Sequence, residues 1–374
     1  MKKIILLSCV LLLKTQAGFT QAGMLDVSFN GTGLVHTDFS NSDEDAFAVA
    51  VQPNGKILLA GYSMCCSNAE DFAVVRYNAD GSLDNTFGSG GKVSTDFNLS
   101  PPASTDIAHA IAIQSDGKII LAGQAFNGHA NDFALARYDA SGNPDNTFGS
   151  GGKVITNFGL LENSSLHALM IQPDGKIIAA GSAKSSDDFV LVRYKNNGSI
   201  DSSFGNNGIV LTNLNGGDQI NAMALQTDGK ILAAGRVRNA AWYDSSAIVR
   251  YTSNGTIDSS FGVNGRSIHM IGIDAGVESI ALQSDGKIVI AGGSNNGSLT
   301  TFYVARFNQN GQFDNSFAVN GIATTDFMTG KESFARSVMI QSDGKILAAG
   351  TANSNFLTTL SDNNFAMARY LPNG

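Results

Sequence analysis

The chain has 374 residues, 43% of them hydrophobic and only 15% charged, with a net charge of −8. That balance excludes the basic footprint needed by a nucleic-acid partner or an anionic membrane surface, and a chain of this length has ample apolar surface for a core. Of its three cysteines, Cys65 and Cys66 are adjacent and Cys9 stands apart. This excludes a disulfide framework, so stability must come from burial.

The first element in chain order is a leader. Met1-Lys2-Lys3 precedes an apolar run at 4–13, and Lys14-Thr15-Gln16-Ala17 follows. A basic start, a short apolar stretch and a small-residue zone read as a secretory signal, with cleavage after Ala17 or Ala22. The run is too short to span a bilayer, so no membrane insertion is expected. Removing residues 1–22 leaves 21 basic against 32 acidic residues, a net charge near −11. The expected product, residues 23–374, is a single exported domain, whether periplasmic, cell-surface or extracellular.

That domain is repetitive. Gln-(Pro/Ser/Thr)-(Asp/Asn)-Gly-Lys-Ile recurs with its glycine at Gly55, Gly117, Gly175, Gly229, Gly286 and Gly344, spaced by 62, 58, 54, 57 and 58 residues. A period of this size indicates stacked supersecondary units. In the second unit, Val93-Ser94-Thr95-Asp96-Phe97 alternates behind a Gly pair and is predicted as strand a. Ala110-Ile111-Ala112-Ile113-Gln114 forms strand b, and Ser115-Asp116-Gly117 a tight turn whose glycine supplies positive φ. Residues 118–123 form strand c and 132–138 strand d, followed by a connector ending in Asp145-Asn146-Thr147-Phe148-Gly149. No stretch holds a helical period. Four short antiparallel strands per unit, six times over, predict an all-β, six-bladed β-propeller.

The two ends complement each other. The chain stops at Arg369-Tyr370-Leu371-Pro372-Asn373-Gly374, where another copy would continue into its connector. The missing piece, Leu25-Asp26-Val27-Ser28-Phe29, stands at the N-terminus with a predicted strand at 34–39. This strand is expected to add to the outer edge of the last blade, beside residues 365–370, and to remove the exposed edges of an open array. Strand b is expected to be innermost. One parity carries small side chains (Ala48/Ala50, Ala110/Ala112 and equivalents) where sheets converge, and the other carries large ones that fill the space between blades.

The segments 114–123 and 133–138, with the Asp145-x-x-Phe148-Gly149 connector, resemble the delta-60 repeat family of exported bacterial proteins. The resemblance covers residues from about 25 to the end, and it implies a propeller-like fold and export. It brings no catalytic residues.

Residues common to all copies must serve something every blade needs. The six arginines Arg76, Arg137, Arg193, Arg250, Arg306 and Arg369 are each expected to anchor a connector, by a bidentate pair with the Asp eight residues on where one follows. Function is expected where the copies differ. Because strands alternate in direction, the b–c turns and d–a connectors share one constant face, and the c–d and a–b loops share a variable one. The binding candidates on that variable face are Trp242, Tyr243 and Phe356, as aromatic platforms. Five residues before each strand-b Gln stand Phe47, His109, His167, Asn221, Glu278 and Arg336, which would ring the channel mouth. Within this collar, His109, His167 and Glu278 are the set that could hold a metal or perform acid–base work; otherwise no cofactor is predicted.

The resulting expectation is an exported, monomeric, non-catalytic scaffold presenting variable loops to a protein or glycan partner. The alternative is an enzyme, either a glycan lyase or hydrolase or a metal-dependent oxidoreductase, working at the channel mouth.

Overall fold

The structure, a computed structural model, describes residues 25–39, 43–65, 69–99, 104–159, 162–183, 188–327, 331–353 and 363–374. Its strands form six antiparallel sheets. Sheet one holds β1 (Glu44–Val51), β2 (Ile57–Cys65), β3 (Ala69–Tyr77) and β4 (Lys92–Thr95). Sheet two holds β5 (Asp106–Ile113), β6 (Ile119–Phe126), β7 (Asn131–Tyr138) and β8 (Lys153–Thr156). Sheet three holds β9 (Ser164–Ile171), β10 (Ile177–Ala183), β11 (Asp188–Tyr194) and β12 (Ile209–Thr212). Sheet four holds β13 (Gly217–Leu225), β14 (Ile231–Arg238), β15 (Asp244–Tyr251) and β16 (Arg266–His269). In sheet five the first strand is split into β17 (Asp274–Ala275) and β18 (Ser279–Leu282), followed by β19 (Ile288–Asn295), β20 (Thr300–Phe307) and β21 (Ile322–Thr325). Sheet six holds β22 (Ser333–Ile340), β23 (Ile346–Asn353) and β24 (Asn363–Tyr370).

Within sheets one to five the order is b, c, d and then the following strand a, which lies on the outer edge, and sheet six holds b, c and d. The b–c turns close as expected: Gly117 donates to the Gln114 carbonyl at 2.9 Å and takes φ +84°, a conformation glycine adopts without steric cost. The b strands lie against one another in succession from β1 through β5, β9, β13 and β18 to β22. They are therefore the inner strands.

The core is distributed between blades. Five buried clusters fill the five successive gaps between neighbouring sheets. Here the sequence expectation needs correction, because the small-residue parity also faces a neighbouring blade. Ala48 of β1 packs in one cluster with Ile111 and Ile113 of β5, so large side chains of one sheet meet small ones of the sheet before. Two flat faces can approach closely only with that pairing of sizes.

The constant face is latched by the repeat residues. Arg193 Nε lies 2.9 Å from Asp201 Oδ2, its Nη1 donates to the Ser253 carbonyl of the next blade at 2.7 Å, its Nη2 donates to Ser203 Oγ at 3.0 Å, and its guanidinium stands 4.6 Å from the Phe204 ring centre. The ion pair is thus single, not bidentate, because the other guanidinium nitrogens serve the next blade and the connector. Arg250 repeats the pattern with Asp258 at 2.9 Å and the Gln309 carbonyl at 2.7 Å. A second latch joins the outer strands β4, β8, β12 and β21 to the next sheet, as in Thr95 Oγ1 to Tyr138 OH at 2.6 Å and Thr156 Oγ1 to Tyr194 OH at 2.7 Å.

The N-terminal segment takes the same place on sheet one. Asn30 N donates to the Asp80 carbonyl at 2.6 Å, matching Gly149 N to Asn197 at 2.9 Å, and Thr37 Oγ1 meets Tyr77 OH at 2.6 Å. Residues 34–39 nevertheless form no strand, and sheet six has three strands with β24 at its edge. Phe365 is fully exposed (104%), whereas its counterparts Phe72, Phe133, Phe189 and Phe302 are at 0%. Among the described residues, β1 and β22 do not pack as the other inner pairs do.

Candidate functional site

The six collar positions share a local cause. In β1, β5, β9, β13 and β22 the ladder slips by one residue at Phe47, His109, His167, Asn221 and Arg336. In sheet five, Glu278 lies in the break between β17 and β18. Each is the extra residue of a β-bulge, a device that re-aims one side chain out of strand alternation. The facing residue on strand c is always glycine: Gly61, Gly123, Gly181, Gly235, Gly292 or Gly350. A Cβ on Gly181 would stand 1.8 Å from the Ser165 carbonyl oxygen, and one on Gly123 would stand 1.9 Å from that of Ile107. The glycine in the repeated Ala-Gly step of strand c thus makes room for the bulge that points a residue toward the collar.

Neighbouring collar residues meet in order around the inner strands. The Phe47 and His109 rings lie 5.2 Å apart, and those of His109 and His167 lie 5.3 Å apart. Gln219 Nε2 is 2.5 Å from His167 Nε2, and Ser165 Oγ is 2.8 Å from the same nitrogen. Asn221 donates to the Val277 carbonyl at 2.8 Å, and Arg336 Nη1 pairs with Glu278 Oε2 at 3.3 Å. Burial pushes His167 down to about 4, with help from the charges of His109 and Arg236; burial also lowers His109. Both rings are neutral near pH 7.

His109 and His167 are neighbours, but Glu278 belongs to sheet five and is engaged by Arg336. Among the described residues these three do not converge on one point. Inner strands radiate from a common axis, so ligands several blades apart face each other across it. The His167 Nε2 atom is engaged by Ser165 Oγ and Gln219 Nε2.

On the variable face, Trp242 is 78% exposed and Tyr243 is 45% exposed. They end a turn in which Asn239 Oδ1 accepts from Ala241 N at 2.9 Å and Tyr243 N at 3.1 Å, with Trp242 at φ +65°. The Arg238 guanidinium lies 5.8 Å from the Trp242 ring centre, and Arg238 and Arg236 both pair with Asp244. Phe356 and Cys66 lie outside the described residues.

Arg236 and Arg238 form part of strand β14 itself. Arg236 separates two polar hollows at the rim. One, of about 190 Å³, is lined by Ser165, Ser182, Asp218, Gln219 and Arg238; the other, of about 220 Å³, includes Asp244, Asp274, Glu278 and Asn295. The available sequence signal was the column after the strand-c glycine, where Arg236 replaces Tyr62, Gln124, Ser182, Gly293 and Thr351. A larger hollow of about 410 Å³ lies near the outer edge of sheet four, lined by His269 and Phe313. There His269 stacks on Phe307 at 5.4 Å in place of the Thr–Tyr latch.

The model of a beta-propeller domain of unknown function, DUF5122, matches residues 52–87, 114–148, 172–204, 226–261, 283–317 and 341–374. The chain belongs to the DUF5122 beta-propeller family. The resemblance to a propeller repeat family therefore holds at that level. Among curated proteins, none matches this DUF5122 chain. Solved structures with a similar course include an ulvanlyase of polysaccharide lyase family PL25, at 11% identity over 83% of this chain and 82% of that one, with a TM-score of 0.46. A puromycin hydrolase is 14% identical over 84% of this chain and 46% of its own, with a TM-score of 0.48. The Drosophila Semaphorin 1b extracellular domains 1–2 are 10% identical over 88% and 79%, with a TM-score of 0.41. Such distant likenesses do not choose a function for this DUF5122 chain.

Proposed function

We propose that this DUF5122 protein is an exported, non-catalytic binding propeller whose variable rim takes a glycan chain. The observation that carries the reading is the exposed Trp242–Tyr243 pair beside Arg238, next to two polar hollows on either side of Arg236. An aromatic face covers the apolar face of a sugar ring, and the flanking polar groups take its hydroxyls. Export rests on the basic and apolar pattern of residues 1–22.

We further propose that the ring closes in cis, with residues 34–39 pairing onto β24 and the molecule remaining a monomer. Asp26 is already held by the Ser28 amide at 2.9 Å and hydroxyl at 2.6 Å, as Asp201 is by Ser203. Its counterpart Arg369 is exposed and has no ion pair among the described residues.

The function is tested by screening purified mature protein on an oligosaccharide array and then repeating the screen with Trp242→Ala and Arg236→Gln. Binding that falls at least about tenfold, with unchanged melting, supports the reading. No glycan binding, or binding indifferent to Trp242→Ala, refutes it. Release of new sugar ends from a bound glycan would move the assignment to the lyase or hydrolase alternative.

A further inference from the structure

Three carboxylates converge on the variable face where sheets one and two meet. Asp71 lies on β3, Asp96 follows β4, and Asp106 opens β5; one oxygen of each lies within 4.8 Å of the others. Asp106 is fully buried. Its Oδ2 accepts from Phe97 N at 2.8 Å and Ser104 Oγ at 3.3 Å, while its Oδ1 has no hydrogen-bond partner among the described residues. Ser94 donates to Asp71 Oδ2 at 3.3 Å, and Asp96 Oδ1 accepts from Asn98 N at 2.5 Å and Ser104 Oγ at 3.5 Å. Lys153 Nζ approaches this cluster but donates to the Asp96 backbone carbonyl at 2.5 Å, not to a carboxylate.

The repeat supplies its own control. At the next junction the same three positions are Asp132, Asn157 and Ser164. There Asn157 Nδ2 donates to Asp132 Oδ1 at 2.8 Å and Asn127 Nδ2 donates to Oδ2 at 2.9 Å, so one buried carboxylate is fully partnered by amides. One junction further on, the positions are Asp188, Asn213 and Asp218, and Asp218 shares a hollow with Arg236 and Arg238. The first junction alone sets three acids together. A buried carboxylate with an orphan oxygen, facing two more, calls for a cation.

We propose that Asp71, Asp96 and Asp106 bind one calcium ion that ties sheet one to sheet two at the variable rim. The donors are all hard oxygens, which excludes a thiolate- or imidazole-preferring metal. Calcium takes carboxylate oxygens in flexible geometry, whereas magnesium demands a near-ideal octahedron and gives up its waters reluctantly, so three carboxylates on separate strand segments favour calcium. Burial first, and then the charges of Asp96 and Asp71, push Asp106 up to about 6 against the hydrogen bond from Phe97. A proton is therefore the competitor of the ion.

The test uses the mature chain, stripped with a chelator and titrated with calcium chloride by calorimetry and by thermal melting at pH 7.5. The expected result is binding at one ion per chain and a melting temperature that rises with calcium, as ligand linkage requires. Asp106→Asn and Asp96→Asn should each weaken binding by about tenfold or more. Asp96 is exposed, and Asp96→Asn recreates the Asp132–Asn157 arrangement, so this variant should fold and melt without calcium at or above the stripped wild type. The proposal is overturned if no stoichiometric binding appears. It is equally overturned if both variants keep the wild-type calcium response, or if acid alone stabilises the stripped protein and calcium adds nothing.

Discussion

Gly181 and Gly175 belong to the same blade and are conserved across the repeats for opposite reasons. Gly175 sits in a turn at φ +81° with open space around its missing Cβ, whereas Gly181 has an ordinary φ but no room, at 1.8 Å from the Ser165 carbonyl. Gly175→Ala should therefore cost about 1 kcal/mol through its backbone conformation. Gly181→Ala should cost more than about 2 kcal/mol, because the bulge itself must shift. Urea midpoints of the two variants check the order. His167 supplies a pH prediction. Its folded value is depressed to about 4 from an ordinary 6.5, so the unfolded chain binds the proton first. Stability is full above about 6.5 and declines as pH falls toward 4, by about 1–3 kcal/mol. Asp106, raised to about 6, acts in the opposite sense and favours the fold as pH falls through the same window. His167→Gln should remove only the histidine part, so the variant should gain stability relative to wild type as pH falls from 7 to 4.5. An unchanging difference would refute the assignment.

Ladders join strands within a sheet, and the connector that returns from strand d to strand a ties each sheet to the next. Burial alone would raise Asp145; hydrogen bonds from Thr147 and Lys118, with the charge of Arg137, hold it down to about 2 instead. Such an arginine is buried, stacked on a phenylalanine and bonded to the following blade, so its geometry matters as well as its charge. Arg193→Lys keeps the charge but loses the contacts to Ser253 and Ser203. It should destabilise by about 2–4 kcal/mol. Lys176→Met removes only the partly exposed partner, 3.7 Å from Asp201, and should cost less than about 1 kcal/mol. Equal losses in chemical denaturation would show that the arginine is no more than a charge. Five of the six repeated arginines, Arg76, Arg137, Arg193, Arg250 and Arg306, are therefore explained by blade packing, with single ion pairs in place of the expected bidentate ones.

Five inter-blade cores are closed in the described residues, and the sixth gap lies between apolar faces carrying Phe47, Val49, Val51, Met339, Phe365 and Met367. An apolar surface of that kind demands a cover. If the N-terminal segment and β24 supply it within one chain, mature protein should scatter as a monomer with a radius of gyration of about 20 Å. Asp26→Arg and Arg369→Asp should each lower the melting temperature, and the double exchange should restore most of the loss. Absence of rescue, or assemblies that grow with concentration, would mean that the faces are covered by another copy.

Repetition made much of this architecture legible from residues alone. The turn glycines, the alternating apolar strands, the four-strand unit, its count of six and the column of collar residues all follow from local rules applied to six copies in register. Three-dimensional packing was needed for everything that depends on a neighbour. A bulge exists only relative to its paired strand, so the role of Gly181 and its five counterparts was hidden in plain alternation. The separation of Glu278 from His109 and His167, the rim position of Arg236, and the meeting of Asp71, Asp96 and Asp106 depend on how adjacent sheets are set side by side. Sequence period specifies the blade, because hydrogen bonding and alternation act within it; distances between blades come from the fit of large side chains against small ones, which only the assembled sheets express.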